Sequence, residues 1–160
     1  MRSIVVVLKT LFMAACAVVL FGFLGSKLSA LDSMIPLNLP PWVPPFGIGL
    51  IAIGTALSFI CFAMFARGGA LTPGPTFPDP NVFISRGPYN YVRNPMAKGG
   101  LAVLLGWGLY ERSPAILLLG LLTAVLMHLL VVCVEEPKLE RRFGQSYLAY
   151  KNRVNRWVPS

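Results

Sequence analysis

Long apolar runs divided by short polar stretches set the pattern of this chain. Residues 4–24 are almost wholly apolar, and about 21 residues rising about 1.5 Å each can cross a hydrocarbon core of roughly 30 Å. A cleaved signal peptide is the competing reading of this run, because Arg2 precedes it and Ala14-Ala15-Cys16 is small. The run continues well past that point, which favours a retained transmembrane helix. Residues 46–66 form a second span, in which Gly47, Gly49 and Gly54 offer close approach to a neighbouring helix. Residues 95–110 and 115–134 are predicted as a third and a fourth span. The tight turn Glu111-Arg112-Ser113-Pro114 would join them as a helical hairpin.

The connectors differ in kind. Gly25 to Pro45 collects Pro36, Pro40, Pro41, Pro44 and Pro45 around Trp42, as suits an external loop anchored at the interface by an aromatic ring. Leu71 to Pro80 carries four prolines and reads as a stiff, extended segment lying over whatever site follows. From Pro137 onward, Leu139, Phe143, Tyr147, Tyr150, Val154 and Trp157 recur at steps of three and four. Arg141, Arg142, Lys151 and Arg153 fall elsewhere around the helix, so a basic amphipathic surface helix is predicted, its aromatic stripe an interfacial anchor. The expected fold class is an all-α polytopic membrane protein of about four transmembrane helices, a single domain over residues 1–160. Segments 67–94 and 135–160 form its cytoplasmic cap.

Composition supports this pattern: 56% of residues are hydrophobic and 12% charged, with a mean hydropathy of +0.68. The formal net charge of +8 sits beside the apolar runs, so anionic headgroups are its expected counter-charge and nucleic acid is not. Loop 25–45 holds Lys27 and the predicted hairpin turn holds Arg112. Arg2, Arg67, Arg86, Arg93, Lys98 and the basic C-terminus lie on the other side, which puts both termini in the cytoplasm. Cys16, Cys61 and Cys133 each fall inside an apolar run without metal-ligand spacing, and are read as core residues, with no metal site.

Two polar clusters stand out, residues 87–99 (GPYNYVRNPMAKG) and Glu135-Glu136. Given equal rise in both arms of the hairpin, Ala97 lies level with His128. The two glutamates, about two turns further on, come level with Tyr89 and Asn90. The third span, at about 16 residues or 24 Å, is shorter than the bilayer core, which implies a pocket sunk into the inner leaflet. Asn94 suits a helix N-cap and Pro95 the first helical position. The amides beyond them, with Arg93 beside them, suit a carboxylate or phosphate. Glu135 and Glu136 suit an amine or ribose hydroxyls, and Tyr89 or Tyr91 a cation. S-adenosylmethionine carries all of these groups.

The two stretches GPYNYVRNPMAKGG and EEPKLERRFGQSYLAYKNRVNRWVP, in this order and spacing, resemble the integral-membrane methyltransferases. These include isoprenylcysteine carboxyl methyltransferase, phosphatidylethanolamine N-methyltransferase and small bacterial relatives. The resemblance covers about the C-terminal half. It implies S-adenosylmethionine as cofactor, a lipid-soluble methyl acceptor and, from the bacterial relatives, an inner-membrane location. By position Tyr89, Arg93, Asn94, Pro95, Met96, Gly99 and Glu135 match the family's cofactor-binding residues. Asn81, Val82, Phe83 and Ile84 match a further cofactor-contacting stretch, Ala97 lies within the motif, and Glu136 completes an acidic pair. The family usually has Tyr where this chain has Ala97 and an apolar residue where it has Lys98. Where this chain has Asn94, eukaryotic members have His and bacterial ones commonly Asn. Val131 stands where the isoprenylcysteine enzymes have a carboxylate-binding Arg, which weighs against a carboxyl acceptor.

His128 and Arg93 are the candidate catalytic residues. An ionisable group inside a span is costly and usually faces a cavity or a partner. His128 is expected either to fill the space of the missing Tyr or to accept the methyl acceptor's proton, against the simpler role of a neutral imidazole bonded to a neighbouring helix. Two acids at a helix C-terminus oppose the macrodipole, so Glu135 and Glu136 need compensation, from Arg93 or from a cofactor. The alternatives are a nicotinamide-dependent membrane reductase of the sterol-reductase kind, and a non-catalytic membrane protein with a degenerate site.

Overall fold

A computed structural model describes residues 22–25, 27–67 and 85–159, apart from the side chains of residues 65–67. Nearly all of the predicted first span, the proline-rich segment 71–80 and the candidate residues Asn81 to Ile84 lie outside the described residues. Among those described there is no strand. The chain forms α1 (Pro44–Arg67), α2 (Pro95–Tyr110), α3 (Pro114–Leu130), α4 (Glu136–Phe143) and α5 (Gln145–Arg153). Short 3₁₀ turns occupy Ser29–Met34 and Gly87–Asn90, and a π turn over Val131–Glu135 makes α3 and α4 one continuous helix. Each long helix opens on proline at a position where the missing N–H costs nothing.

The closest helix pair is α1 with α2, antiparallel, and it depends on glycines seven residues apart on both partners. A Cβ at Gly54 would stand 2.6 Å from the Gly99 carbonyl oxygen, and one at Gly106 would stand 2.7 Å from that of Gly47. No side chain fits there, so the backbones touch and dispersion replaces the hydrophobic effect that lipid cannot supply. Gly49, also expected at this contact, faces open space. On the other flank of α2, Leu105 packs on Gly120 and Gly108 on Leu117 of α3. Leu118, Leu121, Leu122, Val125, Leu126 and Leu129 on α3 are half exposed or more, an apolar face of the kind a bilayer covers. Pro44–Met64 and Pro114–Phe143 are each long and apolar enough to cross a membrane. At about 24 Å, α2 is short of the roughly 30 Å core.

One acid closes the end of the bundle at the 111–113 turn. Asp32 Oδ1 accepts from Ser113 Oγ at 3.0 Å and from the Ala115 amide at 2.9 Å, while Ser113 Oγ accepts from the Ile116 amide at 3.2 Å. Two free amides of α3 are thereby satisfied, and a negative charge meets the positive end of the helix dipole. Beside it, Arg112 donates Nε and Nη2 to the Leu39 carbonyl at 2.9 and 2.6 Å. The connector 27–43 is therefore fastened onto the turn between α2 and α3, and Gly25 lies so close to the Trp107 ring that no Cβ would fit.

Three expectations are corrected here. The predicted single C-terminal helix is broken at Gly144, whose φ of +53° favours glycine, giving α4 and α5. Its aromatic stripe turns inward, not toward a membrane surface: Tyr147, Tyr150 and Val154 bury one another with Leu139 and Phe143. The steps of three and four persist because both short helices press on the same core. Cys61 is buried as expected, but Cys133 is exposed.

The glycine contact gives a direct expectation. Gly54→Ala, forced against a carbonyl, costs about 1–3 kcal/mol of overpacking and lowers the thermal unfolding midpoint in detergent. Gly49→Ala, in open space, leaves it unchanged or raises it slightly.

Candidate active site

Arg86 leads into Gly87, whose φ of +60° only glycine adopts without strain. A Cβ there would also meet Met64 Sδ at 2.9 Å. The resulting 3₁₀ turn drives Tyr89 inward, where it packs on Cys61 with Leu57 and Met64 of α1. Its carbonyl accepts from the Tyr150 hydroxyl at 2.7 Å, tying the turn to α5. Burial pushes the Tyr89 phenol well above its ordinary value. The Tyr150 phenol is pushed up to about 12, first by burial and then by Tyr147, so both stay neutral hydroxyls at physiological pH.

Four residues after Tyr89, Arg93 enters the polar centre. Its Nη1 donates to Glu136 Oε1 at 2.9 Å, and its backbone amide donates to the Asn155 carbonyl at 2.9 Å. Glu136 is only 3% exposed and is surrounded by cations. Arg156 donates Nε to Oε1 at 2.6 Å and Nη2 to Oε2 at 3.0 Å, and Lys151 Nζ stands 3.3 Å from Oε2. Burial acts to raise the Glu136 carboxyl, but the hydrogen bond from Arg156 and the charge of Arg93 outweigh it and hold the carboxyl below its ordinary value.

The π turn accounts for the different surroundings of the two adjacent acids. Pro137 has no N–H for the Cys133 carbonyl and its ring crowds that turn, so the helix widens, and the Glu136 amide bonds to the Val131 carbonyl five residues back. Glu136 then faces the cations while Glu135 is exposed, with its charge felt at Tyr89. Arg93 Nε is buried without a hydrogen-bond partner. A buried donor left unpaired costs roughly 1–3 kcal/mol, and it suits a ligand oxygen.

The other predicted residues are placed as follows. Asn94 is the N-cap of α2, although its side chain makes no capping bond, and Pro95 is the first helical residue. Met96 and Ala97 fill the first turn, and Gly99 meets Gly54 and Ser58 of α1. Lys98 donates Nζ to the Trp157 carbonyl at 2.9 Å, and the Trp157 indole donates to His128 Nδ1 at 3.0 Å. Tyr89, Arg93 and Glu136 are thus brought together, and His128 is tied to α2 through the C-terminal tail. Among the described residues, no group of three or more His, Cys, Asp or Glu could hold a metal.

Residues that sequence reasoning missed do much of the positioning. Lys151 appeared as a surface charge and Trp157 as an interfacial anchor, while Arg156 drew no attention. Charges at 93, 136, 151 and 156 share no local spacing, so only the need to compensate two acids hinted at further cations. Replacing Glu136 by Gln leaves Arg93 and Arg156 facing one another without their carboxylate, while Lys151 keeps Glu140 at 2.5 Å, and breaking such a buried pair costs about 3–5 kcal/mol. Because folding lowers the pKa of this carboxyl, its stabilisation is fully present above the ordinary value of 4.5 and is lost as pH falls through the lowered one. Thermal unfolding of wild type and Glu136→Gln should therefore differ most near neutral pH and converge in acid.

The sequence profile of the phospholipid methyltransferase family matches residues 43–146, from the residue before α1 to the start of α5. No curated protein matches the chain. The match takes in the three long helices, the Gly87–Gly99 stretch and both glutamates, and stops just before the tail segment that carries Lys151, Arg156 and Trp157. On this match the chain belongs to the phospholipid methyltransferase family, and membership makes it a membrane methyltransferase.

Proposed function

We propose that the protein transfers a methyl group from S-adenosylmethionine to a lipid-soluble or amphiphilic acceptor at the cytoplasmic face of a membrane. The observation that carries this reading is the buried, unpaired Nε of Arg93, a donor on the guanidinium that the Glu136 carboxylate holds. The groups present fit the cofactor: Arg93 Nε suits its carboxylate, Glu135 its ammonium or ribose hydroxyls, and the first turn of α2 from Asn94 to Ala97 supplies backbone amides. Glu136, with both oxygens already engaged, acts through Arg93 by fixing the guanidinium. Tyr89 shapes the wall against α1.

Arg93, Glu135 and the first turn of α2 would hold S-adenosylmethionine, which would supply an electrophilic methyl to a lone pair of the acceptor, with sulfur keeping the bonding pair; an amine acceptor would then release one proton. The chain's own task is alignment and exclusion of water. The short α2, beginning below the level reached by α3, leaves room for the acceptor to enter sideways from lipid. The contacts Leu105–Gly120 and Gly108–Leu117 support a hairpin of α2 and α3. With α1 and the segment 4–24, this completes the four-span arrangement we favour. The distribution of basic residues supports cytoplasmic termini.

Arg93→Lys is the cleanest test, because it keeps a cation for Glu136 while removing the Nε donor. Binding of radiolabelled S-adenosylmethionine to purified protein should weaken tenfold or more, about 1.4 kcal/mol, with the thermal midpoint within a few degrees of wild type. Binding of NADPH in its place, or of neither compound by the wild type, contradicts the proposal.

A further inference from the structure

We propose that Trp157 is a positioning residue for His128: the C-terminal tail brings its indole N–H onto Nδ1, fixing His128 as a neutral imidazole that offers a hydrogen-bond donor at Nε2. The chemistry follows from the two rings. Indole Nε1 donates and never accepts, so a bond of 3.0 Å from Trp157 Nε1 to His128 Nδ1 requires the lone pair, not a proton, on Nδ1. The proton of the neutral ring is then on Nε2. With Nδ1 engaged and Nε2 protonated, neither nitrogen can take a proton while this contact stands. The expectation that His128 accepts the acceptor's proton is therefore replaced by its opposite: a fixed donor, suited to a phosphate or carbonyl oxygen and not to an ammonium.

The contact is built, not incidental. The rings are 6.2 Å apart between centroids with planes inclined at 36°. The backbone of Trp157 is held from the other side, its carbonyl accepting from Lys98 Nζ at 2.9 Å. The two residues before it are anchored as well, Asn155 by the Arg93 amide and Arg156 by Glu136. The tail thus runs from the Arg93–Glu136 centre to His128 with every residue from 155 to 157 tied down. Lys98, unusual for the family, has a defined use here, since it fixes the carbonyl of the residue that sets the histidine. The chemical role of the Nε2 donor rests on the methyl-transfer reading and on His128 facing the acceptor. An amine acceptor must then lose its proton to water or another group.

The chain has one histidine, so protein labelled with ¹⁵N only in histidine reports a single imidazole, and the test needs neither cofactor nor turnover. In wild-type protein in lipid nanodiscs, the correlations of the ring nitrogens should show the Nε2–H tautomer alone, with Nδ1 hydrogen-bonded and bare. Trp157→Phe keeps a ring but removes the N–H, and should give a mixture of tautomers. Lys98→Met, which releases the Trp157 carbonyl, should move the Nδ1 resonance the same way by less. A wild-type ring protonated on Nδ1 overturns the proposal whatever the variants do, as does a Trp157→Phe spectrum identical to wild type. Absence of S-adenosylmethionine binding would sink the methyl-transfer reading and leave this assignment standing.

Discussion

The Glu136 carboxylate is the interaction on which the arrangement of the polar end depends. It is nearly inaccessible, and it gathers Arg93 from the segment before α2, Lys151 from α5 and Arg156 from the tail. Burying a carboxylate alone is costly, and three cations without it would repel one another. Arg93, Arg156 and Glu136 therefore stand or fall together, while Lys151 also pairs with Glu140. Because lipid offers no hydrophobic drive between helices, polar closures at helix ends carry a larger share of specificity than in a water-soluble bundle. The chain has one at each end: Asp32 against the turn between α2 and α3, and Glu136 at the opposite end.

Between these closures lies a contact with almost no side chains. The glycine pairs of α1 and α2 set the two backbones at touching distance, which fixes the depth at which α2 begins and hence where Tyr89 meets Cys61. Gly99 shows how the two layers join. Its missing Cβ serves the helix contact with Gly54 and Ser58. One residue away, Lys98 reaches out to the tail, so adjacent positions of the same turn serve packing and site closure. The apolar face of α3 is turned outward.

Much of this was legible in the sequence. Asn94-Pro95 and the polar turn at 111–114 mark the ends of α2, which the structure places over Pro95–Tyr110. The run 46–66 matches α1 to within two residues at its start and one at its end. The acidic pair announced a cluster of cations, because two acids at a helix end need compensation. What could not be read was longer in range or finer in angle. Asp32 meets Ser113 across 81 positions, and Trp157 meets His128 across 29, with no periodicity to signal either. The break at Gly144 was masked by a stripe that continues across it. The different roles of Glu135 and Glu136 depend on one widened turn, whose cause, Pro137, was visible but not its sense.

The central claim is that Glu136 serves the cofactor through Arg93 and not by touching it. The most direct measurement is a double-mutant cycle on S-adenosylhomocysteine affinity, using wild type, Arg93→Lys, Glu136→Gln and the double variant in the same lipid. If Glu136 acts through Arg93, the double variant binds about as weakly as the weaker single one, and the losses do not add. Losses that sum, or affinity unaffected by Glu136→Gln in a folded protein, would contradict the account.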